Sequence, residues 1–254
     1  MNQSILIEVC ANSVASAVAA QAGGAGRVEL CCALAEGGLT PSPAVIELAR
    51  AKLHIALHVL VRPRGGDFCY DDLEFAVLLR DIEFCKRGRA DGVVIGILHP
   101  DGSVDVERTQ ALVQAARPLT VTFHRAFDMA ADPFRALDDL LALGVERLLT
   151  SGLRESAMQG RELIGELVRR SAGRLTVMPG AGVNEGNIGE LIAATGACEY
   201  HLSGQKLIES RMTYRNPQVF MGVPGRPEYE TGVTDEAKIR RVVEAAQKVW
   251  PTNS

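Results

Sequence analysis

Two carboxylate–thiol pairs, Glu8 with Cys10 and Glu29 with Cys31, share one spacing. Each pair closes a short apolar run, Ile5–Cys10 and Val28–Cys31, of strand character. Strand side chains alternate between faces, so each carboxylate lies on the face of its thiol. Thiolates are soft ligands that favour Cu(I) or Zn. A carboxylate inside a sheet must be paired or hydrogen-bonded, because burying it alone costs several kcal/mol. Arg62, Arg64 or Arg125 is the expected partner, in a structural ion pair or beside a functional acid or base. A further run, Leu-Thr-Val-Thr-Phe from 119, goes straight into His124, Arg125 and Asp128. His124, at the end of that strand, suits acid–base work or ligation. His201, sharing a face with Glu199 and Ser203, suits the same roles.

Other residues suit an anion. Arg62-Pro63-Arg64-Gly65-Gly66-Asp67 follows one apolar run, and two arginines with exposed amides can hold an oxyanion. Met178-Pro179-Gly180-Ala181-Gly182-Val183 and Ser203-Gly204 follow two later ones. Arg62, Arg64, Arg125, Asp128, Gly180, Gly182, His201 and Ser203 are therefore candidate ligand-binding residues. With Glu8, Glu29 and His124 as acid–base groups, such a set suits proton abstraction beside a carbonyl. The reaction would be that of an isomerase or aldol-type lyase on a small anionic substrate. His54 and His58 cannot share a metal, being about 13 Å apart in a strand at about 3.3 Å per residue. His54 is expected at the opposite rim.

Strand-like runs near 4–10, 26–31, 54–61, 91–97, 119–126, 146–150, 174–179 and 198–203 alternate with helical patterns. The helices are expected near 13–23, 41–50, 71–87, 104–116, 132–143, 156–171 and 185–195. Alternation of this kind argues for βαβ units and a parallel sheet. Ser13, Ser42-Pro43, Asp71 and Asp132-Pro133 mark helix starts. Gly24, Gly144 and Gly196 mark ends. Eight strands with chemistry at the same end predict a TIM-type (β/α)8 barrel with one shared mouth. An open doubly wound sheet is the alternative, but no Gly-rich dinucleotide turn follows the first strand. The chain is expected to be a single domain over 1–254, with a non-periodic excursion at 205–233. A last helix is expected over 234–249, with Thr234 as N-cap.

The length of 254 residues fits such a barrel, and 47% hydrophobic residues is ample for its core. A net charge of −4 with scattered basic residues gives no reason to expect nucleic acid as a partner. No stretch predicts a membrane span. The six cysteines show no CxxC pairing, and the first ten residues lack a basic leader, so a cytoplasmic, reducing location is expected. Phe220, Met221 and Val223 could form a homodimer contact.

At these residues the chain resembles the CutC copper homeostasis family. The resemblance rests on Glu8-Val9-Cys10, Val28-Glu29-Leu30-Cys31, Glu36-Gly37-Gly38-Leu39-Thr40-Pro41-Ser42 and Arg62-Pro63-Arg64-Gly65-Gly66-Asp67-Phe68. It continues through Asp91-Gly92-Val93-Val94, Thr122-Phe123-His124-Arg125-Ala126-Phe127-Asp128, Leu149-Thr150-Ser151-Gly152, Met178-Pro179-Gly180-Ala181-Gly182-Val183 and Glu199-Tyr200-His201. It spans residues 5–203 in order, with Ala181 in place of a usual Gly and Cys32 as an added thiol. The resemblance implies a TIM-like barrel, a cytoplasmic location, a role in copper homeostasis, and Cys10 and Cys31 as ligands of copper, Cu(I).

Overall fold

Apolar runs of four to six residues separated by capped amphipathic helices can bury both sheet faces only by wrapping the helices outside the strands. The computed structural model, which describes residues 5–222 and 227–250, has this arrangement. Its elements are β1 (Leu6–Ala11), α1 (Val14–Ala22), β2 (Arg27–Leu30), α2 (Pro43–Lys52), β3 (Ala56–Leu60), α3 (Asp72–Arg87), β4 (Gly92–Ile95) and α4 (Val106–Ala116). They continue as β5 (Thr120–Phe123), α5 (Pro133–Ala142), β6 (Arg147–Thr150), α6 (Arg161–Ser171), β7 (Thr176–Pro179), α7 (Ile188–Thr195) and β8 (Glu199–Leu202). The last three are β9 (Gln205–Glu209), β10 (Glu230–Thr234) and α8 (Glu236–Val249). Among the described residues, β1 to β8 are parallel and pair in the order β7-β6-β5-β4-β3-β2-β1-β8. β7 and β8 lie side by side, so the barrel is nearly closed. It is a (β/α)8 barrel of one domain, and the C-terminal ends of its strands surround one mouth.

The expected helix starts are capped as their residues dictate. Ser13, Ser42, Asp71 and Asp132 each accept a backbone N–H of the first turn. At α3 the cap is reciprocal: Asp71 accepts from the Glu74 amide, and the Glu74 side chain accepts from the Asp71 amide. Asp71→Ala should therefore cost about 1 kcal/mol. Urea unfolding checks this, and an unchanged midpoint would remove the cap from the account. Helix faces then fill the space around the barrel, as Ala136, Leu137 and Leu140 of α5 do.

The strands are shorter than their apolar runs. In β3 the amides of His54 and Ile55 are accepted by the Gln21 side chain at 2.6 and 3.3 Å, so pairing starts only at Ala56. His54 lies at the rim opposite the mouth, as expected. The helix expected from 156 begins at Arg161, with Gly160 as its N-cap packed against the loop after β6. A Cβ at Gly160 would sit 1.9 Å from the Ser151 carbonyl oxygen. The excursion after β8 is partly regular: β9 and β10 form an antiparallel hairpin with Glu209 opposite Glu230. Its exposed pattern gave no buried periodicity to read. Asp235, not Thr234, caps α8, accepting from the Ala237 amide at 3.0 Å. Phe220 and Met221 are exposed, whereas Val223 lies outside the described residues. No helix among the described residues is long and apolar enough to cross a membrane.

Candidate functional site

Register decides which side chains meet. Pairing of β1 with β2 sets Glu8 beside Arg27 and Cys10 beside Glu29. Pairing of β1 with β8 sets Glu8 beside His201. The Cys31 thiol, just past the end of β2, touches that of Cys10, with the sulfurs 3.4 Å apart. Both thiols are buried and neither is in a disulfide. Ligand atoms of Cys10, Glu29 and His201 all lie within 4.8 Å of one another. Hydrogen bonding to Cys31, burial and the neighbouring Glu29 push the Cys10 thiol well above its usual pKa.

Cys10, Glu29 and His201 line a cavity of about 290 Å³ at the mouth. Cys10, Glu29, Arg62, His124, His201 and Ser203 are among its lining residues. His201 bridges the two carboxylates, with Nδ1 2.7 Å from Glu8 and Nε2 3.7 Å from Glu29. Burial opposes charge on this ring, but Glu29 and Glu8 outweigh it and raise its pKa. Burial, aided by the Glu8 charge, raises the Glu29 carboxyl against the pull of His201.

The opposite wall is cationic and donor-rich. His124 Nδ1 accepts the Ala126 N–H at 3.1 Å, while Nε2 has no partner. Gly96 makes room for this ring, because a Cβ there would lie 2.3 Å from His124 Cε1. Phe68 packs against both His124 and Arg62. Its ring centroid is 5.0 Å from that of His124 and 4.9 Å from the Arg62 guanidinium carbon. Arg62 is buried and donates to the carbonyls of Glu36, Gly38 and Gly66 at 2.8–3.1 Å.

Some expected residues lie elsewhere. Glu8 is fully buried beneath the cavity, and its partner is Arg27 rather than Arg62, Arg64 or Arg125. Burial opposes its ionisation, but Arg27, His201 and His58 outweigh it and hold the carboxyl well below the usual range. Arg64 sits outside the cavity against Glu74 and Asp67. Arg125 lines the cavity but also donates to Asp128 at 2.7 Å. Asp128 anchors the loop after β6, accepting from Thr150 at 2.5 Å and from the Ser151 amide at 3.0 Å. Gly180 leaves room for Leu149 and His201, and Gly182 lines the cavity.

Sequence reasoning missed Arg27, which holds Glu8 and Glu199 and donates to Met178 Sδ at 3.3 Å. The signal was its parity: Arg27, Glu29 and Cys31 occupy one face of β2. His58 was also under-read. It hydrogen-bonds Thr120 at 3.2 Å across Gly92.

Burial lowers both His58 and His124 from 6.5 to about 3. The unfolded chain therefore binds these two protons first as pH falls. Stability present above the unfolded value is lost from about pH 6.5 towards pH 3. Glu8, also depressed, adds its loss below the ordinary carboxylate range. His201, raised, acts oppositely: its contribution is complete below about pH 6.5 and is lost as pH rises through its folded value. In that range the two depressed histidines outweigh the raised Glu29 carboxyl, so unfolding free energy is predicted to fall between about pH 6.5 and 5. A urea-unfolding series checks this, and a flat profile down to pH 5 would contradict it. His124→Asn should flatten the slope.

Comparisons with known proteins bear on the family and the fold. The sequence profile of the CutC family matches residues 5–206. A CutC family protein of Chromobacterium violaceum is 50% identical over 243 residues, covering 96% of this chain and 98% of the relative. The copper homeostasis protein cutC homolog of Mus musculus is 47% identical, covering 96% of this chain and 90% of the relative. The crystal structure of a CutC protein from Streptococcus agalactiae superposes with a TM-score of 0.74 at 36% identity, covering 78% of this chain and 97% of that one. Phosphoribosyl anthranilate isomerase of Thermotoga maritima matches with a TM-score of 0.57 at 12% identity over 96% of this chain and 99% of that one, a likeness of fold alone. With its barrel, its paired thiols and these relatives, the chain belongs to the CutC family.

Proposed function

We infer that this protein binds Cu(I) as cargo through the Cys10 and Cys31 thiolates, within copper homeostasis. The contact of the two sulfurs at 3.4 Å carries this reading. Two soft donors on adjacent strands suit a soft monovalent cation, and hard oxygen-seeking metals would reject them. Cys10 lines the mouth cavity, so copper has a route in and out. The names of the curated relatives support the copper role. Six free thiols are in keeping with a reducing cytoplasm.

Metal entry requires both thiols to lose their protons. Glu29 and His201 beside Cys10 offer a third and fourth donor, so a harder divalent ion is the rival cargo. Anaerobic Cu(I) titration against a competing chelator tests the assignment. Tight binding is expected in the wild type and its loss in Cys10→Ser/Cys31→Ser. Binding unchanged by the double substitution would contradict the assignment.

A further inference from the structure

Copper does not account for the opposite wall of the cavity. We propose that the barrel mouth also binds a small organic oxyanion, with the Arg62 guanidinium supplying positive charge and His124 Nε2–H donating to an oxygen. The site rests on the donor wall alone and goes beyond the copper reading.

Several independent observations converge there. First, the tautomer of His124 follows from its partner. An amide N–H can only donate, so Nδ1 must carry the lone pair, and the neutral ring holds its proton on Nε2. This N–H is buried, belongs to a residue lining the cavity, and has no acceptor. A buried donor without a partner costs stability unless a ligand or water completes it.

Second, Arg62 is a buried cation with no carboxylate within ion-pair distance among the described residues. Its Nη atoms face neutral carbonyls, and the nearby Tyr70 side chain is neutral as well. Carbonyls orient the guanidinium but do not neutralise it, so the wall favours a bound negative charge.

Third, the loop after β7 closes the cavity with a constrained backbone. Ala181 and Gly182 are consecutive left-handed residues, with φ of 75° and 77°. Such a conformation is costly for alanine, so the backbone of this loop is held in place by its surroundings. Ala181, Gly182 and Val183 all line the cavity. Their carbonyl side is tied down where Ala181 accepts from the Ala157 amide at 3.0 Å. Around 290 Å³ suits a small molecule near the lower limit of ordinary ligand pockets.

The oxyanion can be a phosphate or a carboxylate, and the test separates them. Protein labelled with 15N-histidine and 15N-arginine is titrated with inorganic phosphate and, separately, with acetate, following His124 Nε2 and Arg62 Nε by NMR. The expected result is a single saturable curve at both resonances. Saturation with phosphate alone identifies a phosphate-bearing ligand, and saturation with acetate identifies a carboxylate. The titrations use metal-free protein, so their outcome does not depend on the copper site.

In His124→Asn, whose side-chain oxygen can still accept the Ala126 amide, the Arg62 curve should move about tenfold to higher concentration. Gly96→Ala, which drives a methyl into the His124 ring, should do the same if the asparagine variant does not fold. Linear, unsaturable shifts with both anions would overturn the proposal. So would a curve indifferent to both His124→Asn and Gly96→Ala.

Discussion

Arg27→Met should destabilise the protein by about 3–5 kcal/mol, the usual cost of breaking a buried ion pair from one side. Arg27 is 2% exposed and grips the carboxylates of Glu8 and Glu199 together. Removing it leaves Glu8, which is fully buried, with only histidine partners, His201 at 2.7 Å and His58 at 4.0 Å. Glu199 is better protected, because Arg147 also reaches it at 3.0 Å. The damage therefore falls mainly on Glu8. Adding Glu8→Gln to Arg27→Met should recover much of the loss, since the stranded charge is then gone. Urea unfolding of the two single variants and the double variant measures this. A loss below about 1 kcal/mol for Arg27→Met would show that the network is not a structural centre.

Cys10→Ser and Cys31→Ser should each weaken Cu(I) binding by more than about 100-fold. Even partners outside the ligand shell cost 10–100-fold in metal affinity, and a lost ligand costs at least as much. Combining the two substitutions should add little, because both sulfurs serve one ion. Cys85→Ser should leave the affinity unchanged: Cys85 packs with the apolar core under α3. Chelator competition reads all of these. Strictly additive losses from the two single variants would argue for two separate sites.

Much of this was legible in the residues. Capping pairs such as Ser42 with Pro43, and left-handed ends such as Gly144, punctuate several of the β–α units. Alternation then fixed the shared face of Glu8 and Cys10. Shear was not legible: which strand residues stand level depends on barrel closure, so the partner of Glu8 could not be read locally. It is Arg27, from the next strand, and not an arginine of the mouth loops. Position along the strand also separated roles that residue type had merged. Glu8 is a buried structural carboxylate, whereas Glu29 lines the cavity. Asp128, ionisable and close to the mouth, ties a loop instead of facing the cavity. The hairpin of β9 and β10 escaped because exposed strands carry no apolar alternation.

X-ray absorption at the copper edge of the Cu(I)-loaded wild-type protein tests the central claim most directly, because it reads the atoms bound to the metal. Two sulfur neighbours in the wild type, absent from copper added to Cys10→Ser/Cys31→Ser, are the predicted result. A shell of nitrogen and oxygen alone, or a sulfur shell that survives the double substitution, would contradict ligation by these two thiolates.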